Sequence, residues 1–123
     1  MIRGLVNALQ EAVVRLRVRG PSGIELDLDA LVDTGFTASL TLPTVVVAAL
    51  GLVRQSGGRA ALADGSRVQF DIYAADVAWG SSWRPVLVTA VGDEALIGMR
   101  LLAGHELRIE VVPGGVVEVT PLP

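Results

Sequence analysis

Asp33, Thr34 and Gly35 close an aliphatic run in the stretch "LVDTGFTASL", residues 31–40. A carboxylate in such a place has two uses. It can act as a general acid or base, or it can cap the turn that follows or pair with an arginine. Acids are seldom fully buried unless they are paired. An acid at the end of an apolar strand therefore calls for a partner. Gly35 allows a backbone turn that other residues resist.

Little else in the chain competes for a chemical role. There is no cysteine, hence no disulfide, thiolate nucleophile or cysteine-ligated metal. One histidine, His105, excludes a multi-histidine metal site within one chain. His105 has no nucleophile-elbow pattern beside it and reads as a surface loop residue. The segment "SGGR" at 56–59 lacks the spacing and the lysine of a phosphate-binding loop. Trp79 and Trp83 read as core or edge packing. No metal or cofactor is expected.

The elements that must position Asp33 follow from periodicity. Val14, Leu16 and Val18 alternate with Arg15, Arg17 and Arg19; after Gly20-Pro21-Ser22-Gly23, Ile24, Leu26 and Leu28 alternate with Glu25, Asp27 and Asp29. This predicts a hairpin with one buried face, in a register that sets Arg19, Arg17 and Arg15 opposite Glu25, Asp27 and Asp29. The alternation then fails at Ala30, Leu31 and Val32, which reads as a strand buried on both faces that carries Asp33 into the interior. Pro43 and Gly51 bracket a short helix. Asp64-Gly65 reads as a two-residue hairpin turn, and Pro85 places its strand at or near an edge. "HELRIEVV", a Pro113-Gly114-Gly115 turn and "VVEVT" form a last hairpin. The unit "hairpin, apolar strand, Gly, helix" occurs twice, at 31–50 and at 96–102, and only the first copy has an acid at the turn.

The 123 residues form a single domain, 1–123, with no linker or low-complexity segment. Hydrophobic residues make up 51% and aromatics only 4%, so the core is aliphatic. A net charge of -3 and scattered arginines argue against nucleic acid as a partner. The longest apolar run, 45–50, is too short to span a bilayer, and residues 1–14 do not form a signal peptide. A cytoplasmic protein is the expectation.

"LVDTGFTASLTLP" together with "ALIGMRLL" at 95–102 resembles the retropepsin-like aspartic proteases, in particular their single-domain bacterial and archaeal branch, and is similar to retroviral proteases. The resemblance covers nearly the whole chain and implies a mostly β, closed-barrel fold with one or two short helices. It implies a homodimeric aspartic-type endopeptidase acting on an extended peptide or unfolded protein, with one Asp33 from each subunit. By the same resemblance Thr34 bonds across to the other subunit, and Gly35 meets the substrate backbone. Ala63, Asp64, Gly65 and Ser66 form the tip of a flap, and the termini, 2–6 and 116–119, pair into a shared sheet. Arg100 departs from the acid or amide usual at its position, which puts the contacts of the second loop in question.

Two other readings stand beside this one. The chain is a catalytically weak or inactive dimer of the same fold that binds peptides or partners, or it is a small barrel in which Asp33 is only a satisfied turn acid. Thr34 is then an ordinary turn residue, and 63–66 a plain exposed hairpin.

Overall fold

The alternating segments on either side of Gly20–Gly23 pair as a hairpin of β2 (Ala12–Arg19) and β3 (Glu25–Val32). The structure, a computed structural model, describes residues 1–61 and 63–123. The register is the one charge complementarity selects: Arg15↔Asp29, Arg17↔Asp27 and Arg19↔Glu25. Val14, Leu16 and Val18 are buried on the opposite face. Arg17 grips Asp27 with two bonds, at 2.8 and 3.1 Å, and Arg15 reaches Asp29 at 3.1 Å. These pairs are exposed, so they select the register more than they stabilise the fold. Arg19 departs from the expected pairing. Its guanidinium turns away from Glu25 to Asp76, at 3.1 Å, and lies 4.0 Å over the Trp83 ring.

That departure marks a barrel closure. The remaining elements are β1 (Ile2–Val6), β4 (Leu40–Leu42), α1 (Thr44–Leu50), β5 (Val53–Ala61), β6 (Arg67–Trp79), β7 (Ser82–Ala90), β8 (Ala95–Ile97), α2 (Met99–Leu102), β9 (His105–Ile109) and β10 (Val116–Pro121). Strand order is β5-β6-β7-β4-β8-β3-β2-β1-β10-β9, and Val18↔Val77 with Arg19↔Asp76 joins β2 back to β6. Strands β2, β3, β8, β4, β7 and β6 thus close on themselves, which leaves no edge around the ring. The fold is a mostly β closed barrel with two short helices. Leu16, Leu40, Leu42, Leu50, Ile97 and Leu101 fill it. Trp79 is the one aromatic in this core among the described residues. Pro85 lies where β7 is paired by β6 alone, since β4 meets β7 only at Val88–Ala90.

The predicted helix boundaries hold. Pro43 precedes α1, and Gly51 ends it at φ 63 with its N–H on the Ala48 carbonyl. Val45, Val46 and Val47 favour strands locally. Burial of Val47 and Leu50 outweighs that preference. His105 is not in a loop: it opens β9 opposite Pro121, with its ring edge-on to Trp79 at 5.9 Å.

The terminal strands are paired with each other within one chain. β1 pairs with β10 over Ile2–Leu5 and with β2 over Gly4–Val6, and β10 is held by β1 and β9. Ile2 and Arg3 pair with β10 but lie beyond the β1–β2 ladder, which runs from Gly4 to Val6. The outer strands of the sheet are β9 and β5.

Candidate active site

Asp33 follows β3 directly. Its N–H donates to the Ile97 carbonyl at 2.9 Å, so the parallel β3–β8 ladder, with Val32 opposite Ile97, extends to the acid. The residue facing Asp33 across this pair is Gly98. The expectation of a strand buried on both faces holds only for Ala30: Leu31, Val32 and Asp33 are each partly exposed in the single chain. The acid stands at the rim of the barrel rather than in its interior. A strand at the end of a small barrel has protein on one side only, so an uninterrupted apolar run there marks surface as well as core.

The carboxylate is oriented by its own loop. Oδ1 accepts the Gly35 N–H at 2.9 Å, and among the described residues Oδ2 accepts none. A side chain at 35 would stand 3.3 Å from Oδ1, tight for a methyl group. The Phe36 N–H donates back to the Asp33 carbonyl at 3.1 Å, closing the turn. Thr34 and Gly35 are exposed.

A second loop clasps the first. Gly98 N–H donates to the Ser39 carbonyl at 2.9 Å, Met99 N–H to Phe36 at 2.8 Å and Arg100 N–H to Ala38 at 3.3 Å. Gly98 is buried against this loop, and a β-carbon there would run onto the Ala38 carbonyl oxygen and lie 2.6 Å from the Phe36 ring. Arg100 joins the clasp through its backbone, so the unusual side chain leaves that contact intact. Thr41, buried on β4, adds a third tie: its hydroxyl accepts the Leu96 N–H at 2.9 Å and donates to the Glu94 carbonyl at 3.2 Å. Neither Thr41 nor Ser39 stood out in the sequence, where a hydroxyl among aliphatics carries no mark of its partner.

Asp33 opens into a cavity of about 390 Å3, with Leu31, Val32, Leu96, Ile109 and Val111 on its walls. A larger one, about 1140 Å3, lies beyond Leu31 and Glu11, which border both, and does not contain Asp33. The smaller is the one that Asp33 borders. None of Ala63, Asp64, Gly65 and Ser66 borders it. Those residues lie at the tip of the β5–β6 hairpin. Ala61 pairs with Arg67 and Ser66 is already outside the ladder, so the turn is longer than the two residues Asp64-Gly65. Leu62, in the same stretch, lies outside the described residues. Asp64 Oδ1 accepts both the hydroxyl and the N–H of Ser66, at 2.6 and 2.9 Å, and Gly65 takes φ 86. Those two bonds hold the Asp64 carboxyl below its usual range.

No helix is long and apolar enough to cross a membrane among the described residues. Nor does any group of three histidine, cysteine or acidic residues there lie close enough to hold a metal ion.

No family model matches this chain, and no curated protein matches it. A solved structure does: a retropepsin-like aspartic protease from Rickettsia conorii aligns with a TM-score of 0.59 at 17% identity, over 94% of this chain and 88% of that one. At that identity the likeness is one of fold.

Proposed function

We propose that this chain is half of a homodimeric aspartic endopeptidase, with Asp33 of each copy supplying one of two catalytic carboxylates. The observation that carries the reading is the asymmetry of the clasp. Two matching loops are locked together by backbone bonds, one presenting Asp33 and the other Gly98 at the facing position. One chain thus offers a single, rigidly held carboxylate where two-carboxylate chemistry needs a pair. The likeness in fold to a protease that spans nearly all of this chain supports the same reading.

In the dimer the two carboxylates approach across a two-fold axis and share one proton, since two adjacent like charges cannot both ionise cheaply. This sharing is the established behaviour of aspartic-protease pairs. The ionised Asp33 takes a proton from a water, whose oxygen bonds to the scissile carbonyl carbon. The protonated Asp33 gives its proton to the carbonyl oxygen. Collapse of the tetrahedral intermediate breaks the C–N bond as the amine nitrogen takes up a proton from the pair and one hydroxyl of the intermediate returns its proton to the other carboxylate. The titration belongs to the pair rather than to either residue. Thr34 braces the two loops across the axis, and Gly35 lets the substrate backbone approach. The hairpin tip, residues 63–66, closes over an extended peptide and excludes water.

Incubating the protein and its Asp33→Asn variant with an unstructured protein, from acid to neutral pH, tests this. Cleavage by the first and none by the second is expected. Equal cleavage by both sinks the reading. A folded dimer that cleaves nothing points instead to a binding module of the same fold.

A further inference from the structure

The dimer just proposed needs an interface, and within one chain most of β1 and β10 is spent on each other and on β2 and β9. Two strands remain at the outside of the sheet, β5 and β9. The backbone of β9 is half used. Glu110 N–H donates to the Val116 carbonyl, and Leu122 N–H to the Gly104 carbonyl, both at 2.9 Å. In an antiparallel ladder such bonds alternate. Positions 104, 106, 108 and 110 therefore face β10, and the N–H and C=O groups of His105, Leu107 and Ile109 point away from it. An open row of this kind is a template for another strand.

The side chains say which strand. Glu106 and Arg108 stand on the exposed face of β9, two positions apart with Leu107 between them. When two copies of β9 run antiparallel about Leu107, Glu106 of each lies opposite Arg108 of the other, and His105 lies opposite Ile109. The outward backbone groups of all three residues then pair. Arg108 is half-exposed beside Glu110 and Glu118, at 3.2 and 3.8 Å, and Glu106 has no ion-pair partner among the described residues. β5 has no such self-complementarity, because its only charges are Arg54 and Arg59. Just beyond β9, Val111 and Val112 are 61% and 57% exposed, an apolar surface continuous with the same edge. Ile109 and Val111 also wall the cavity that holds Asp33, so a second copy seated on this edge borders that cavity.

From these observations we propose that a second copy of this chain docks along β9, antiparallel about Leu107, and that this edge joins the two half-sites. The proposal rests on the reading of the working unit as a dimer. It predicts an isologous interface with two reciprocal Glu106–Arg108 pairs.

Sedimentation equilibrium on two charge variants tests it. Glu106→Arg leaves two cations facing two cations, and Arg108→Glu two anions facing two anions. Each variant alone is expected to self-associate on the order of tenfold more weakly than the parent, with circular dichroism unchanged. An equimolar mixture is expected to regain the parental affinity, since each cation now meets an anion. A parent that stays monomeric, variants that dimerise like the parent, or a mixture no tighter than its components overturns the interface. A second measurement covers loss of folding by a charge variant. The chain has no cysteine, and residues at a non-hydrogen-bonded pair lie about 4.5 Å apart at Cα, within reach of a disulfide. Oxidation is expected to cross-link Glu106→Cys to Arg108→Cys in a mixture of the two, and neither to itself; absence of the mixed product refutes the register. Proteolysis is read separately. A dimer broken and rescued as described that cleaves nothing keeps the interface and removes the protease. Full cleavage by a still-dimeric Glu106→Arg chain does the reverse.

Discussion

Replacing Gly98 by alanine tests whether the two loops really clasp. The added β-carbon runs onto the Ala38 carbonyl oxygen and lies 2.6 Å from Phe36 Cδ2 and 2.8 Å from the Phe36 oxygen. Neither carbonyl can yield alone, because the Phe36 oxygen accepts Met99 N–H at 2.8 Å and Ala38 accepts Arg100 N–H at 3.3 Å. The loops must separate. Overpacking of this sort costs about 1–3 kcal/mol, and each backbone bond lost adds about 1 kcal/mol. With two bonds lost the total is about 3–5 kcal/mol, a large part of the roughly 5–15 kcal/mol that holds a domain together. Unfolding entropy of about 2.1 cal/mol/K per residue, over 123 residues, makes each kcal/mol worth about 4 °C in Tm. The expected fall is about 12–20 °C by thermal circular dichroism at fixed protein concentration. Gly80→Ala is the control. It has φ 67 but open space around it, so only backbone strain of about 1 kcal/mol, or about 4 °C, is expected. If Gly98→Ala melts no lower than Gly80→Ala, the clasp does not hold the site.

Thr41→Val strands the Leu96 N–H and the Glu94 carbonyl, for a loss of about 1–3 kcal/mol; faster hydrogen exchange at Leu96 reports it, and Thr41→Ser should restore protection. Arg19→Met removes the Asp76 pair and the stack on Trp83 where the barrel closes, and should lower stability by about 1 kcal/mol with a change in tryptophan emission; unchanged emission counts against the stack. The Asp64 carboxyl, depressed first by the Ser66 hydroxyl and then by its N–H, supports the hairpin tip above the ordinary value of 3.8 and loses that role as pH falls through the depressed one. Its NMR titration should lie below 3.8, and in Ser66→Ala should move up toward it; no movement means the hydroxyl bond is not formed in solution.

Local pattern carried the reading furthest where side chains themselves hold the information. The alternation from Val14 to Asp29 is written in side-chain polarity, and the charges of three arginines and three acids select the register. Arg19 escaped that logic because its partner, Asp76, is distant in the chain and only barrel closure brings it near. The failure of alternation at Leu31 and Val32 predicts full burial, yet both are partly exposed. Apolar side chains on both faces do not distinguish a central strand from one at a barrel's open end. The hairpin tip was legible as a turn but not in length, since pairing through Ala61↔Arg67 is decided by backbone register.

The sequence by itself determined the elements that side-chain chemistry encodes: the β2–β3 hairpin and its register, the helix bounded by Pro43 and Gly51, and an isolated acid in an Asp-Thr-Gly turn with a matching Gly98 and helix downstream. Only the tertiary structure decided that β3 and β8 run side by side so that Gly98 faces Asp33, that β2 and β6 close the barrel, and that β1 and β10 satisfy each other and leave β9 open. The reason is physical. Those pairings are made by backbone N–H and C=O groups, which are alike in almost every residue and leave no local trace in the order of side chains.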